Sequence, residues 1–302
     1  MTFAQFMELA LYHPEAGYYR RAGPRVGFGP GTDFFTATTS GPVFGELIAA
    51  SCCNLLGGRN PQDYTFVEIG AEPGHRVLTG VAHPFGAVRT VRVGEPLELR
   101  GHCVVFSNEL FDAQPFHRYI FREGTWRELG VALRNDALVE TELTTATPSP
   151  LPATAGESQI FDAPLGATAL ASRIAAEPWQ GLFIACDYGR TFPELAENSP
   201  NGTARAYHHH TQSNDLLARP GEQDLTCHVC WDWLTDALHR HGFAHPSVES
   251  QEAFFVQHAA EYITSLTAAE AAKFSRKKLS LLQLLHPSHL GQKFQVLHAI
   301  RP

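Results

Sequence analysis

Basic side chains are scarce in this sequence: 23 Lys and Arg stand against 31 Asp and Glu, for a net charge of −8. Non-specific nucleic-acid binding needs clustered cations to displace counterions from phosphates, so no nucleic-acid partner is expected. Long apolar runs are missing too. None approaches the ~20 residues that a helical membrane span requires. Cysteine is thin, six in 302 residues, too few for a disulfide framework. The opening stretch MTFAQFMELALYHPEAGYY has no basic segment and no small-residue cleavage pattern, which speaks against a secretory signal. A cytoplasmic, thiol-containing protein is expected. Charged residues amount to only 18%, but hydrophobic residues reach 44%. That is enough for a sizeable core and does not fit a disordered chain.

What is present is an alternation of buried strands and helices. Phe3, Phe6, Met7, Ala10 and Leu11 recur at helical spacing over residues 2–12. The glycine- and proline-rich stretch 20–33 reads as a mobile loop, and GPVFGELIAASCCNLL resumes a helical pattern. Strands are expected at 64–69, 87–93 and 102–107, in GLFIACDYG and in KFQVLHAI, with a hairpin turning at Glu123-Gly124. Helices are expected at 165–177, 231–238, 258–266 and 268–285. The stretch 144–158 reads as a Pro/Ser/Thr loop. This order predicts an α/β fold with a mostly parallel sheet.

In such sheets ligands sit at the carboxyl ends of strands. Three strands here end in polar clusters: Glu68 with Gly70 and Gly74, Ser107-Asn108-Glu109, and Asp187-Tyr188. Gly70 suits a tight turn, and Gly74 would let a following helix pack closely with its N-terminus toward a ligand. In NELFDAQPFH, Glu109 and Asp112 are three apart, a spacing that shares one side of a helical turn. The pair suits a guanidinium or ammonium group. Alternatively, Asn108 is a helix N-cap and Asp112 belongs to the first turn. Cys227 and Cys230 stand near His208, His209 and His210. Three consecutive histidines cannot all point one way in an extended chain, and no zinc is expected there.

MELALYHPEAGYY, DFFTATTSGPVFGELIA, VEIGAEPG, SNELFDAQPFHR, DYG, GTARAYHHH, PGEQDLTCHV and GQKFQVL occur in one order from about residue 3 to residue 298. Together they resemble the MidA family of S-adenosylmethionine-dependent methyltransferases. The resemblance implies a Rossmann-like methyltransferase sheet with an N-terminal helical cap (1–60) and a core (61–302) carrying a loop-rich inserted subdomain near 190–230. It implies S-adenosylmethionine as cofactor and methylation of a protein side chain, arginine first, with a respiratory-complex subunit as a partner. By the same resemblance, Glu68, Gly70, Gly74, Asn108, Thr36 and Glu95 serve the cofactor. Glu109 and Asp112 serve the acceptor, and Asp187, Tyr188, His210 and His228 shape the cleft.

The sequence departs from the family in two places. Glu72 replaces the middle glycine of the turn, with Pro73 beside it. Only 33 residues separate Gly74 from Asn108, where the family has several tens more and places the acid that grips the ribose. Glu95 is either that acid or a surface turn residue. Two functions therefore stand open: a methyltransferase with a rebuilt cofactor pocket, or a catalytically inactive relative that binds a partner protein through the retained cleft.

Overall fold

The runs Phe66–Ile69, Val104–Phe106 and Leu182–Cys186 are apolar on both faces but for Glu68, the pattern of strands buried inside a parallel sheet. In the computed structural model they form its centre. The structure describes residues 1–21, 25, 32, 41–272 and 275–302. Thr36, Asp33 and Phe34, and most of the 20–33 stretch, lie outside the described residues.

The central sheet has six strands. In spatial order they are Ala244–Ser250, Gln295–Arg301, Trp179–Asp187, Gly101–Asn108, Thr65–Ile69 and Ala87–Val91. The last four run parallel; Gln295–Arg301 is antiparallel to both of its neighbours. The strands expected at 64–69, 102–107 and in GLFIACDYG lie side by side with their carboxyl ends on one side of the sheet. Strand Ala244–Ser250 carries no sequence signal, and it appears at the sheet edge, where Pro246 costs no ladder bond.

Contacts divide the chain into two compact units. One comprises the described residues of Met1–Phe34, Phe111–Arg173 and Gly189–Ala237. The other comprises those of Phe35–Leu110, Ile174–Tyr188 and Leu238–Pro302 and contains the central sheet. The two helices expected within the 1–60 cap fall in different units.

In the sheet unit, helix Pro42–Leu56 begins with Pro at its first turn and ends at Gly57 in the left-handed region. Its Val43, Phe44, Leu47 and Ile48 join Phe66, Phe106, Ile184, Phe254, Phe255 and Leu284 in one core. The Phe44 ring lies 6.3 Å from that of Phe106 and 6.0 Å from that of Phe255. A fully buried Phe contributes about 2–3 kcal/mol of hydrophobic stabilisation. Three helices, Gln251–His258, Ala260–Ala269 and Arg276–Leu285, stand where two were expected. Arg301, ending the Gln295–Arg301 strand, donates to the carbonyls of Ala175, Glu177 and Trp179 at 2.5, 2.6 and 2.7 Å. It thereby occupies carbonyls at the end of helix Leu165–Ala176.

The other unit contains helix Phe3–Tyr12, opened by a capping box between Thr2 and Gln5. Its apolar stripe packs with Phe116, Ile120, Leu129 and Val131. Ile120, Leu129 and Val131 belong to a four-stranded antiparallel sheet, ordered Ala137–Glu142, Thr125–Arg134, His117–Arg122 and Ile160–Ala163, and Phe116 immediately precedes one of its strands. The expected hairpin turn at Glu123-Gly124 is there, with φ of 51° and 77°, as a primed two-residue turn requires. A second small sheet joins Arg205–His208 to Thr211–Ser213 and Asp224–Thr226.

Candidate active site

Glu68 is 4% exposed at the end of its strand. Both of its carboxylate oxygens accept the Val77 N–H, at 3.1 and 3.0 Å. Burial pushes its carboxyl up to about 7, opposed by the Val77 N–H and by the charges of Arg76 and Arg92. The residue therefore anchors the loop that follows the strand. The same loop approaches helix Pro42–Leu56 at Gly45, where a Cβ would stand 2.0 Å from the Val77 carbonyl oxygen. Val77 lies in no quoted motif, and nothing in GPVFGELIA marks Gly45 for this contact.

Gly70 has φ +82° and donates its N–H to Val91 O at 2.9 Å, so it both turns the chain and extends the ladder. A Cβ there would meet the Leu110 side chain at 2.8 Å. Gly74 has another role than the one expected. No helix follows it; the chain runs through turns to Ala87–Val91. His75 N–H instead bonds Glu72 O at 3.0 Å, across Pro73 and a Gly74 with φ +82°. That is a type II β-turn, with proline at the position whose φ it presets and glycine where φ must be positive. The Glu72-Pro73 pair is thus the ordinary chemistry of this turn. Glu95 lies just beyond Ala87–Val91 and accepts from Arg92 N–H at 2.8 Å, closing its own turn.

The segment after Gly101–Asn108 also differs from expectation. No helical turn forms over Glu109–Asp112, because Glu109 is in the left-handed region at φ 50°. A non-glycine residue held there costs about 1–2 kcal/mol, and such positions cluster at functional sites. At least three groups hold it. Its N–H donates to Cys186 O at 2.9 Å. Asn108 Nδ2 and the Tyr188 hydroxyl donate to its carboxylate at 2.9 and 3.3 Å. Asp187, fully buried, accepts the N–H groups of Leu110 and Tyr188 at 3.2 and 2.8 Å and so ties two strand ends together. Tyr188 packs on Phe294 with ring centroids 4.1 Å apart. Asn108 Oδ1 and Ser107 Oγ are buried with no hydrogen-bond partner among the described residues.

Asp112 belongs to the other unit, where it is 4% exposed and its carbonyl accepts Cys227 N–H at 2.8 Å. Tyr12 and Tyr19 stack at 5.5 Å, and the Tyr19 hydroxyl donates to Asp224 at 2.9 Å. Both phenols are pushed well above their ordinary range, first by burial and then by Asp224, with Asp112 adding to it. The Arg25 guanidinium lies 5.6 Å from the Tyr19 ring centroid, so this acidic, aromatic corner already accommodates one arginine.

His228 donates its backbone N–H to Thr203 Oγ1 at 3.2 Å, while its buried Nδ1 has no partner among the described residues. Burial, then Arg190 and Arg205, lowers its imidazole to about 4. The preceding GTA segment is organised by Asp162, which accepts the N–H groups of Thr203 and Ala204 at 2.7 and 2.8 Å and takes Arg118 at 2.7 Å. Gly202 is required there, since a Cβ would stand 2.2 Å from the Asp162 carboxylate. His209 and His210, with φ of 45° and 59°, are the exposed central pair of a hairpin turn. His210 Nε2 lies 3.2 Å from Thr32 Oγ1. Cys227 Sγ lies 3.4 Å from Thr203 Oγ1, and Cys230 joins the apolar cluster of Tyr119, Phe161 and Leu195. Burial raises both thiols, Cys230 to about 12.

Residues 87–247 match the family described as "Putative S-adenosyl-L-methionine-dependent methyltransferase". The mitochondrial protein arginine methyltransferase NDUFAF7 of Danio rerio is 24% identical, over 78% of this chain and 67% of that protein. Among solved structures, a superfamily member from Burkholderia thailandensis bound to S-adenosyl-homocysteine superposes with a TM-score of 0.86 at 22% identity. The match covers all of this chain and 88% of the other. A native crystal structure from the same organism gives a TM-score of 0.83 at 21% identity, with 100% and 87% coverage.

Proposed function

The chain belongs to this S-adenosyl-L-methionine-dependent methyltransferase family, and on that premise we propose that it methylates a protein side chain, an arginine guanidinium first. The observation that carries the reading is Glu109, a carboxylate held by Asn108 and Tyr188 at the end of a parallel strand, on backbone of positive φ.

The strand ends fit the cofactor. Asn108 Oδ1 and Ser107 Oγ supply two buried polar atoms that lack partners among the described residues. When bound, S-adenosylmethionine supplies a methyl group activated by its sulfonium. Glu68 keeps the loop beside it in place through Val77. Glu109, when ionised, is an acceptor-only group. It would draw the charge of a protonated guanidinium toward one nitrogen and take the proton that leaves the attacking nitrogen. A guanidinium titrates above pH 12, so that localisation is needed near neutrality. The remaining catalysis is proximity and alignment. The arginine-methylating activity of the Danio rerio relative supports the same acceptor.

The test is incubation of the full chain with methyl-labelled S-adenosylmethionine and arginine-rich proteins, followed by hydrolysis and amino-acid analysis. Label in methylarginine is expected. Glu109→Gln should lower kcat by about 100-fold or more while leaving the KM for S-adenosylmethionine within about 3-fold. Label on another residue type would move the acceptor. Failure of calorimetry to detect S-adenosylmethionine binding would return the chain to the inactive, partner-binding reading.

A further inference from the structure

Away from the strand ends, Glu249, His258 and His298 bring a carboxylate oxygen and two imidazole nitrogens within 4.8 Å of one another. The fold places them deliberately close. Ala244–Ser250 and Gln295–Arg301 are paired at the sheet edge with Ser247 opposite His298, so Glu249, two residues on, shares a face with His298. The chain then turns at Ser250 into helix Gln251–His258, whose last residue returns over the same face. Glu249 Oε1 lies 2.8 Å from His298 Nε2 and 3.4 Å from His258 Nε2. The three side chains are 17%, 13% and 8% exposed, which leaves a route for a small ion.

Counting hydrogens shows why this cluster is more than a hydrogen-bonded pair. His258 Nδ1 lies 3.2 Å from Asn54 Oδ1. An amide oxygen only accepts, so Nδ1 carries the proton. The neutral ring then aims the bare lone pair of Nε2 at the Glu249 carboxylate. Two electron-rich atoms facing each other need a positive centre between them, either a second proton on the ring or a metal ion. The geometry suits the metal. Zinc bonds of about 2.0–2.2 Å in a tetrahedron separate neighbouring ligand atoms by about 3.3–3.6 Å. The His258–Glu249 separation falls on that edge, and the shorter His298 contact opens by rotation of the carboxylate.

The surroundings point the same way. Asn54 fixes the tautomer and orientation of His258, as outer partners do for metal-bound imidazoles. Phe254 lies against both rings, at 5.1 and 5.5 Å, and supplies an apolar wall. His258 stands at a helix C-terminus, where positive charge is favoured. We propose that Glu249, His258 and His298 bind one divalent transition-metal ion, zinc first, with water in the fourth position. The ion would clasp the paired edge strands to helix Gln251–His258 and, through Asn54, to helix Pro42–Leu56.

The site is tested on the full chain after removal of metal with a chelator. Titration with Co2+ should give visible absorption bands saturating at about one equivalent, and excess Zn2+ should raise Tm by several degrees. X-ray absorption of the zinc-loaded protein should show only nitrogen and oxygen ligands near 2.0 Å. His258→Ala with His298→Ala should abolish the bands and the Tm shift. Cys227→Ser with Cys230→Ser should leave both intact, and Asn54→Ala should weaken binding by about 10–100-fold. Absence of any band or Tm shift overturns the proposal and leaves a shared proton as the positive centre. Sulfur ligands near 2.3 Å overturn it without reference to any variant, as does binding that survives the double histidine change.

Discussion

Two residues of the candidate site carry opposite dependences on pH. Glu68 is raised to about 7 by burial, so between its ordinary range and 7 the folded state holds more protons than the unfolded chain. Its contribution is full in acid and is lost as pH rises through 7, by roughly 3 kcal/mol at most. His228 is lowered to about 4, so the folded state holds fewer protons there up to the ordinary imidazole range. Its contribution is full above about 6.5 and is lost as pH falls through 4. The two oppose each other across the overlap. In Glu68→Gln, stability should rise with pH from 4.5 to 6.5, and the wild-type decline toward pH 7.5 should flatten. Urea unfolding at four pH values checks this, and an unchanged profile would refute the buried-carboxyl account.

At the turn, Gly74→Ala places a Cβ on a residue with φ +82°. It should cost about 1–2 kcal/mol and weaken S-adenosylmethionine binding several-fold. Glu72→Gly leaves Pro73 and Gly74 in place and should change affinity less than about 3-fold; calorimetry of both variants separates the two positions. Sequence alone identified Glu68, Gly70 and Asn108 as strand-end residues. It expected a helix after Gly74, where the chain instead makes a type II turn through Pro73 and Gly74. Proline and glycine at successive turn positions have a sufficient reason of their own. The roles of Val77 and Asp162 could not be read, since each acts through a partner nine or about forty residues away.

Helix Pro42–Leu56 and the loop after Gly70 meet where Gly45 faces Val77 O. The atom in the way is backbone and cannot rotate aside. Gly45→Ala should therefore push the helix off the loop, destabilise the chain by about 1–3 kcal/mol and lower cofactor affinity with it. Thermal unfolding and calorimetry together test the link; lost stability with unchanged affinity would show that the loop is held by Glu68 alone. Elements were legible where pattern was strong, as in Phe3–Tyr12, Leu165–Ala176 and the buried parallel strands. Ala244–Ser250 was not. Its sequence AHPSVES has a proline, a histidine with φ +47° and a register shift. It becomes a strand because Gln295–Arg301 offers a ladder to complete, a tertiary cause with no local trace.

Over the whole molecule, 31 acidic residues outnumber 23 basic ones. An arginine-rich acceptor would be drawn in by this field, so its kcat/KM should fall several-fold between about 50 and 500 mM salt, with kcat little changed. A salt-independent rate would point to recognition through apolar contacts. The fold class was readable at this scale, because alternating buried strands and helices admit few architectures. The partition of the chain was not. Each unit gathers three separated segments, and the crossings at residues 110–111, 173–174, 188–189 and 237–238 leave no compositional seam.

Strand Gln295–Arg301 lies between Ala244–Ser250 and Trp179–Asp187. This has a consequence for biosynthesis. While residues up to 294 emerge from the ribosome, Ala244–Ser250 has no partner and Trp179–Asp187 shows a bare hydrogen-bonding edge. Exposed edges of this kind invite aggregation, so the nascent chain should depend on chaperones until Gln295–Arg301 is available to pair. A premature stop before Gln295 would leave that edge open and also remove Arg301, which secures the helix beside it. Translation arrest at codon 294, followed by protease digestion of the stalled chain, should find the sheet unit open; exposure of Gln295–Arg301 should close it.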